Sequence, residues 1–272
     1  MRSVIEIVII WSAKVYSDMK PLAGICSVVL TVYNRDEYLS DCLWSISNTA
    51  DMPIELIVVD GGSCSAIKDK IVSIVKNFED SFSQVKMIAC KERISAAEAI
   101  NIGIGIARGE HLFITNDDIF FETGNWCSKM VNCSIEYPNA AIIGVMGHYT
   151  YNEQTVRLDY DTKQHIGCVR NTKQIAGILC KIDKQAFDSI GLYDENISYQ
   201  GGGDGDYSIR VLASGYELVV MEDILVHHRA HGSKEDWDKA RESILDKYGD
   251  CEVNPDNMDT YIGIAKRIYE YK

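Results

Sequence analysis

Short apolar runs alternate with amphipathic stretches through the first 115 residues of the chain. The runs are rich in β-branched residues, which indicates strands, and the stretches between them repeat apolar residues at helical spacing. Strands that alternate with helices predict an α/β protein with a mostly parallel central sheet flanked by helices, whose ligands collect beyond the carboxyl ends of the strands. The predicted strands are residues 26–32, 54–59, 85–89 and 111–115, and the predicted helices are residues 38–46, 67–78 and 95–107.

The pattern is looser after residue 141. Residues 149–173 are polar and predict a loop or a hairpin, and the glycine-rich residues 191–203 predict a mobile active-site loop. The tail beyond Ser233 is charged and predicted to be helical, with core-facing spacing of Trp237, Ala240, Ile244 and Leu245. The predicted strands of this part are residues 142–146, 175–182, 217–221 and 224–226, and the predicted helices are residues 184–189, 206–214 and 261–269.

The charge of the chain argues against nucleic acid as its main partner. The formal net charge is −13, from 27 Lys and Arg against 40 Asp and Glu, and such a charge repels a polyanion. A nucleoside diphosphate stays compatible with this composition, because a bound Mg²⁺ or Mn²⁺ inverts the local charge. With 272 residues the chain is long enough for one domain, or for one domain with an appendage.

The cysteines and the start of the chain bear on location. The nine cysteines contain no C-x-x-C pair, which fits neither a zinc ribbon nor a disulfide framework and predicts a reducing, cytoplasmic compartment. Residues 1–11 are apolar but interrupted by Glu6, and they are too short for a transmembrane helix. They predict a strand or a docking segment, and weak association with a membrane surface stays open.

The candidate chemistry begins where the apolar run 112–114 stops on Asn116, Asp117 and Asp118. An acidic, glycine-supported segment at 201–206 and a pair of histidines at 227–228 follow later in the chain. Paired carboxylates at a strand end supply hard ligands for a divalent cation, and a further carboxylate stays available for proton transfer. This pattern predicts metal-assisted transfer chemistry.

Several motifs occur in the order that is typical of one family. They are VVLTVYNR at 28–35, IVVDGGS at 57–63, NIG at 101–103 with ARGE at 107–110, FITNDD at 113–118, GLYDE at 191–195, GDGDYSIR at 203–210 and VHH at 226–228. Together they resemble the family 2 glycosyltransferases, which have the nucleotide-sugar-binding fold called GT-A. The resemblance implies a nucleoside-diphosphate sugar such as a UDP sugar as donor, Mn²⁺ or Mg²⁺ as cofactor, and a glycan, a lipid-linked molecule or a protein as acceptor.

The resemblance also implies a division of the chain. Residues 25–230 are expected to form the GT-A domain, with a nucleotide-binding half at 25–118 and an acceptor and catalytic half at 119–230. Residues 1–24 are then an N-terminal extension, and residues 231–272 are a helical C-terminal extension.

The donor pocket follows from the same resemblance. Asp60 is implied to bind the base or the ribose, which is chemically sensible because a carboxylate accepts from an imide N–H or a sugar hydroxyl. The alternative is that Asp60 only caps the turn before Gly61. The other residues implied to contact the nucleotide sugar are Thr31, Tyr33, Asn34, Arg35, Gly61, Asn116 and Asp117.

The metal ligands implied by the resemblance are Asp117, Asp118 and His227. The D-x-D motif of the family stands here as Thr115-Asn116-Asp117, with Thr115 in the place of the first acid. Adjacent residues of a strand point to opposite faces, so only one of His227 and its neighbour is expected to face the site. The alternatives are a solvated turn for the acids and an unligated surface histidine.

The catalytic residue implied by the resemblance is Asp204, as general base on the acceptor hydroxyl of an inverting enzyme. Asp206 is the second candidate, and an N-cap role is the alternative for either. Gly203 stands where the family usually has a glutamate.

The function predicted from these residues is metal-dependent, inverting transfer of a sugar. A catalytically weak sugar-nucleotide-binding module is the first alternative, favoured by Thr115 and Gly203 in the places of two acids. A nucleotidyltransferase is the second alternative, but residues 33–36 lack the glycines of a phosphate loop. Retention of Asp117, Asp204 and His227 favours the enzyme.

Overall fold

The computed structural model describes residues 5–8, 22–148, 154–197, 203–229, 239, 242–243, 246–249 and 258–268. The strands are β1 Ile5–Val8, β2 Leu22–Val32, β3 Ile54–Asp60, β4 Gln84–Ala89, β5 Gly109–Asn116, β6 Ile119–Phe121, β7 Ala140–His148, β8 Thr155–Val156, β9 Val169–Asn171, β10 Leu179–Ile182 and β11 Glu217–His228. The helices are α1 Leu39–Thr49, α2 Ser65–Asn77, α3 Ala96–Ile106, α4 Trp126–Glu136, α5 Phe187–Ile190, α6 Gly203–Ala213 and α7 Met258–Ile268.

These strands form one mixed sheet in the order β1-β4-β3-β2-β5-β10-β7-β11-β6, with β8 on β7 and β9 on β11. Neighbours from β1 to β5 are all parallel, as predicted. Beyond β5 the prediction of a mostly parallel sheet is wrong in part, because β10 runs antiparallel to both β5 and β7, and β11 runs antiparallel to β6. Apolar runs identify strands, but they carry no information on strand direction.

The first half of the fold forms because alternate residues of each strand enter two different cores. Val28 and Leu30 of β2 pack in the core that contains α1, whereas Val29 packs in the core that contains α3. At Gly103 of α3 an added Cβ would lie 2.3 Å from a methyl carbon of Val29, so glycine lets this helix approach the sheet closely. The start of α3 is capped by Ser95, whose hydroxyl accepts from the Glu98 N–H at 3.1 Å.

The second half departs from the predicted elements in several places. Of the predicted strand 175–182, only Leu179–Ile182 is a strand, and residues 217–226 belong to one long strand with a register shift between Met221 and Leu225. Residues 149–173 were predicted to be a loop or a hairpin, and their described part, 154–173, contains the short strands β8 and β9, which pair with β7 and β11 and not with each other. The helix α4 and the strand β6 were not predicted.

The C-terminal helix α7 packs on α6. Tyr261 and Ala265 of α7 share a buried cluster with Ile209 and Ala213 of α6 and with Tyr248. The predicted core positions Trp237, Ala240, Ile244 and Leu245 lie outside the described residues. Among the helices that the structure describes, none has the length and the apolar content to cross a membrane.

Candidate active site

Two loops at the carboxyl ends of β2 and β3 are held together by hydrogen bonds. The Asn34 N–H donates to Ser63 Oγ at 2.7 Å, and the Cys64 N–H donates to Asn34 Oδ1 at 2.8 Å. Asn34 has a positive φ of 48°, which asparagine tolerates better than most residues. At Gly62, where φ is 94°, a Cβ would lie 2.2 Å from the Glu92 carbonyl oxygen, so the turn requires glycine.

Asp60 uses one of its two carboxylate oxygens for this turn. Asp60 Oδ1 accepts from the N–H of Ser63 at 2.9 Å and from its hydroxyl at 2.6 Å. Asp60 Oδ2 is buried and accepts no hydrogen bond from the residues that the structure describes, while Lys68 Nζ lies 4.0 Å away. The turn role and a ligand-binding role are therefore compatible, because each uses a different oxygen.

Asp117 and Asp118, just after β5, are brought together by Arg35. Arg35 Nη2 donates to Asp117 Oδ1 at 2.7 Å and to Asp118 Oδ2 at 2.9 Å, and Arg35 Nε donates to Asp117 Oδ2 at 3.1 Å. Burial raises the pKa of Asp117 to about 6, and the hydrogen bonds and charge of Arg35 limit this rise. Asp118 Oδ1 is buried and accepts no hydrogen bond from the described residues.

Thr115 and Asn116 bind the chain segment before β10. The Thr115 hydroxyl, fully buried, donates to the Ile178 carbonyl at 2.7 Å, and the Asn116 amide donates to the Gly177 carbonyl at 3.1 Å. An ionised carboxylate has no proton to donate. The residue that replaces the first acid of the motif thus has a structural task that an acid could not perform.

Asp204 is joined to the same segment through Gly177. Asp204 Oδ2 accepts from the Gly177 N–H at 3.0 Å, and its Oδ1 accepts from the Gly205 N–H at 2.9 Å. Because Gly177 also accepts from Asn116, one residue connects the candidate base to the end of β5. The Asp204 side chain belongs to the first turn of α6 and is half-buried.

Asp206, the second candidate base, is buried and binds the C-terminal segment. Its side chain has no exposed surface, and it accepts from Arg210 Nε at 2.9 Å, from Lys247 Nζ at 2.7 Å and from the Tyr248 hydroxyl at 2.6 Å. Residues two apart on a helix point in nearly opposite directions. Asp204 therefore faces Gly177, whereas Asp206 faces the C-terminal segment.

The two adjacent histidines of β11 have different neighbours. His228 Nε2 lies 3.3 Å from Asp118 Oδ2, whereas His227 Nδ1 lies 3.0 Å from Glu122 Oε1. The sequence favours His227 as the partner of the acids, but the structure brings His228 to Asp118. Among the described residues, two sets of three possible metal ligands lie within 4.8 Å of one another, namely Glu122, His148 and His227, and His165, Cys168 and Glu222. Neither set contains Asp117 or Asp118.

The side chain of Asn101 has a role that was not predicted from the sequence. Its amide donates to the Tyr193 carbonyl at 2.9 Å and to Glu195 Oε1 at 2.8 Å, and its Oδ1 accepts from the Tyr193 N–H at 3.0 Å. These bonds hold the described part of the predicted mobile loop, Gly191 to Ile197, against α3. The sequence offered one signal for this role, because Asn101 is a polar residue within the apolar surface of a predicted helix. Glu122 and His148 belong to no motif.

The sequence model of the family described as Glycosyl transferase family 2 matches residues 27–186, which are more than half of the 272-residue chain. The chain belongs to glycosyl transferase family 2. Glycosyltransferase GlyG of Streptococcus pneumoniae serotype 4 is 31% identical to this family 2 chain over 133 residues, which are 48% of the chain and 42% of the relative. An uncharacterized glycosyltransferase of Haemophilus influenzae is 34% identical over 111 residues, 40% of the chain and 42% of the relative. The chain thus covers less than half the length of these relatives.

Solved structures similar to this family 2 chain confirm the GT-A fold. GalNAc-T7, crystallised with UDP, GalNAc and Mn²⁺, matches with a TM-score of 0.62 and 18% identity over 86% of this chain and 49% of that one. The mannosyltransferase PcManGT from Pyrobaculum calidifontis, in complex with GDP-Man and Mn²⁺, matches with a TM-score of 0.64 and 15% identity over 94% of this chain and 72% of that one. At these identities the likeness concerns the fold alone.

Proposed function

We propose that this family 2 protein is a metal-dependent, inverting glycosyltransferase that moves a sugar from a nucleoside-diphosphate donor to an acceptor hydroxyl. The observation that carries the proposal is a pair of buried carboxylate oxygens, Asp60 Oδ2 and Asp118 Oδ1, that accept no hydrogen bond from the described residues. A buried acceptor of this kind is destabilising unless a ligand, an ion or a water molecule supplies the missing partner. Both lie at the edge of the sheet where α/β folds bind ligands, and the UDP and GDP-Man complexes of similar structures support a donor of this class.

The nucleotide is proposed to bind at the carboxyl ends of β2 and β3. Asp60 Oδ2 accepts an imide N–H of the base, with uracil as the preferred base, or a ribose hydroxyl. The residues proposed to line this site are Thr31 near the end of β2 and, in the loop after it, Tyr33, Asn34 and Arg35. Gly61 and Asn116 lie at the neighbouring strand ends. The guanidinium carbon of Arg93 lies 4.8 Å from the centroid of the Tyr33 ring, a cation–π contact beside this site.

Asp60→Asn is expected to weaken UDP binding about 10–100-fold, because one new amide N–H₂ would face the N–H of the base. The amide oxygen of the variant can still accept from Ser63, so the turn is expected to fold. Isothermal titration calorimetry with UDP measures the change. The control is Asp69→Asn, which removes the same charge at an exposed position of α2 and is expected to leave the affinity for UDP unaltered. Equal affinity of Asp60→Asn and wild type for UDP would contradict the base-binding role of Asp60.

The cation is proposed to bind at Asp117 and Asp118, whose carboxylate oxygens are the ligands that Mg²⁺ and Mn²⁺ prefer. Asp118 Oδ1 fits this role, because it is buried and accepts no hydrogen bond from the described residues. When bound, the cation neutralises the departing diphosphate as a Lewis acid. The assignment of His227 as third ligand stays a prediction, and the 3.3 Å contact with Asp118 favours His228 in its place.

The acceptor hydroxyl is proposed to lose its proton to Asp204 as it attacks C1 of the sugar from the face opposite the diphosphate, which inverts the anomeric configuration. The N–H groups of Gly177 and Gly205 orient the Asp204 carboxylate for this step. The acceptor class is a glycan, a lipid-linked molecule or a protein. A cytoplasmic location agrees with the eight free thiols among the described cysteines.

A thermal-shift panel of UDP, GDP, dTDP and CDP sugars, with and without Mn²⁺, tests the donor site. A ligand that binds only the folded state raises the melting temperature by mass action. One nucleotide class is expected to raise it in the presence of Mn²⁺, by several degrees at saturating concentration, and Asp117→Ala is expected to abolish the metal-dependent part. Asp69→Ala is the matched control on an exposed helix position.

Two outcomes would contradict parts of the proposal. If no nucleotide sugar raised the melting temperature, the proposed donor site would be contradicted. Stabilisation without any release of nucleoside diphosphate would favour the sugar-nucleotide-binding module, which the replaced acids at Thr115 and Gly203 make the second candidate.

A further inference from the structure

We infer that Glu122, His148 and His227 form a second metal site, separate from the acidic pair and selective for a transition-metal dication such as Zn²⁺. One ligand atom of each residue lies within 4.8 Å of the others. The inference goes beyond the proposed function, because it assigns His227 to a separate site with Glu122 and His148 and leaves the contact with Asp118 to His228.

The sheet register places the three side chains on one face. His227 of β11 is the register partner of His148 on β7 and of Phe120 on β6, and register partners point to the same face of a sheet. The two imidazole rings are accordingly 5.0 Å apart between centroids. Glu122 comes two residues after Phe120, and its N–H donates to the Leu225 carbonyl at 3.2 Å, so its side chain returns to the same face.

The alternation of side-chain direction along β11 separates this site from the acidic pair Asp117 and Asp118. His228 follows His227 in β11 and points to the opposite face, where it lies 3.3 Å from Asp118. The neighbouring histidines thus belong to two centres with different ligand chemistry.

The surroundings of the three residues match those of known metal ligands. His148 is buried, and its Nδ1 lies 3.4 Å from the Val156 carbonyl oxygen. When Nδ1–H donates to that oxygen, Nε2 is left as the ligand atom. A metal-binding histidine usually donates its other ring N–H in this way. Glu122 and His227 keep 36% and 31% of their side-chain surface exposed. The centre therefore has a buried ligand, two partly exposed ligands and a solvent-facing side.

The donor set decides the class of metal. Two imidazoles and one carboxylate suit Zn²⁺ and its first-row neighbours, whereas Mg²⁺ prefers oxygen ligands alone. Ligand atoms of a tetrahedral zinc ion are about 3.4 Å apart, from bond lengths near 2.0–2.1 Å. The 3.0 Å between His227 Nδ1 and Glu122 Oε1 is already close to that separation. Three protein ligands leave a fourth position for an exchangeable water.

Titration of the chelator-treated full chain with Co²⁺, followed by its visible absorption, tests the inference. We expect one equivalent of Co²⁺ to bind with the intense absorption of a four-coordinate ion, to be displaced by Zn²⁺ and to be unaffected by excess Mg²⁺. Glu122→Gln, a change at a partly exposed position, is expected to raise the dissociation constant at least about 10-fold. His227→Gln is the second variant, and circular dichroism checks that each is folded.

Two controls separate this site from the other candidates. Asp117→Ala is expected to bind Co²⁺ as wild type does, whatever its effect on donor binding, so this inference and the proposed function can fail independently. Glu222→Gln is the matched control in the second ligand set. There Arg170 Nε already lies 2.7 Å from Glu222 Oε1. Unaltered Co²⁺ binding in folded Glu122→Gln and His227→Gln would overturn the inference. Loss of Co²⁺ binding in Asp117→Ala or Glu222→Gln would overturn it as well. So would a near-ultraviolet thiolate band, which would show that Cys168 binds the ion.

Discussion

Asp204→Asn is expected to lower the rate of nucleoside-diphosphate release about 10³-fold, while donor affinity stays within about twofold of wild type. The amide cannot accept a proton at neutral pH, but its oxygen can still accept from the Gly177 N–H that holds the aspartate. Loss of rate without loss of binding separates a chemical role of Asp204 from a structural one. The measurement is release of the diphosphate with an acceptor or with water, beside calorimetric donor binding.

The matched control for this prediction is Asp188→Asn on α5. Asp188 is exposed and carries the same charge, so its replacement is expected to leave both the rate and the affinity unaltered. A rate for Asp204→Asn within about threefold of wild type would exclude Asp204 as the general base. A parallel loss of donor binding would point to damage of the fold around Gly177 instead.

Asp206→Ala is expected to lower the free energy of unfolding by about 3–5 kcal/mol, because it leaves the buried Arg210 guanidinium without its carboxylate. Lys247 loses one of two carboxylate partners and keeps Asp194. Arg210 has 3% of its side chain exposed and Lys247 has 14%. The same replacement removes the bond to the Tyr248 hydroxyl, which attaches the C-terminal segment to α6. Urea denaturation followed by circular dichroism measures the loss.

Asp204→Ala, two residues earlier on the same helix, is the control for Asp206→Ala. Its carboxylate is half-buried and accepts from the backbone N–H groups of Gly177 and Gly205, so its removal is expected to lower stability by about 1–2 kcal/mol. If Asp206→Ala lowered stability by less than Asp204→Ala, the buried ion-pair network would not be the anchor of the C-terminal segment.

The first half of the fold was predictable because its signals are local. Strands β2 to β5 are short β-branched runs, and α1 to α3 repeat apolar residues at helical spacing, so each element reveals its type within its own residues. Helix α4 was not predicted, although Trp126, Cys127, Met130 and Val131 recur at helical spacing and are buried. The order and direction of β10 and β11 depend on partners far along the chain, which periodicity does not encode.

Some residues of the candidate site could likewise be predicted from local sequence, whereas others could not. Asp60, Asp117 and Asp204 could be singled out because each stands at the end of a strand or the start of a helix, where the motifs of the family place their chemistry. The roles of Asp206 and His228 could not, since burial against Lys247 and Tyr248 and proximity to Asp118 arise only when distant segments meet. The cluster of Glu122, His148 and His227 has no sequence motif at all.

The family, the alternation of strands and helices, and the edge of the sheet at which carboxylates gather could all be predicted from the amino-acid sequence, because they follow from short motifs and local periodicity. Three features became known from the folded chain. They are the oxygens of Asp60 and Asp118 that lack a hydrogen-bond donor among the described residues, the histidine that contacts Asp118, and the aspartate of α6 that is fully buried. Burial, register and hydrogen-bond partners are properties of pairs of segments, so the residues of a single segment do not reveal them.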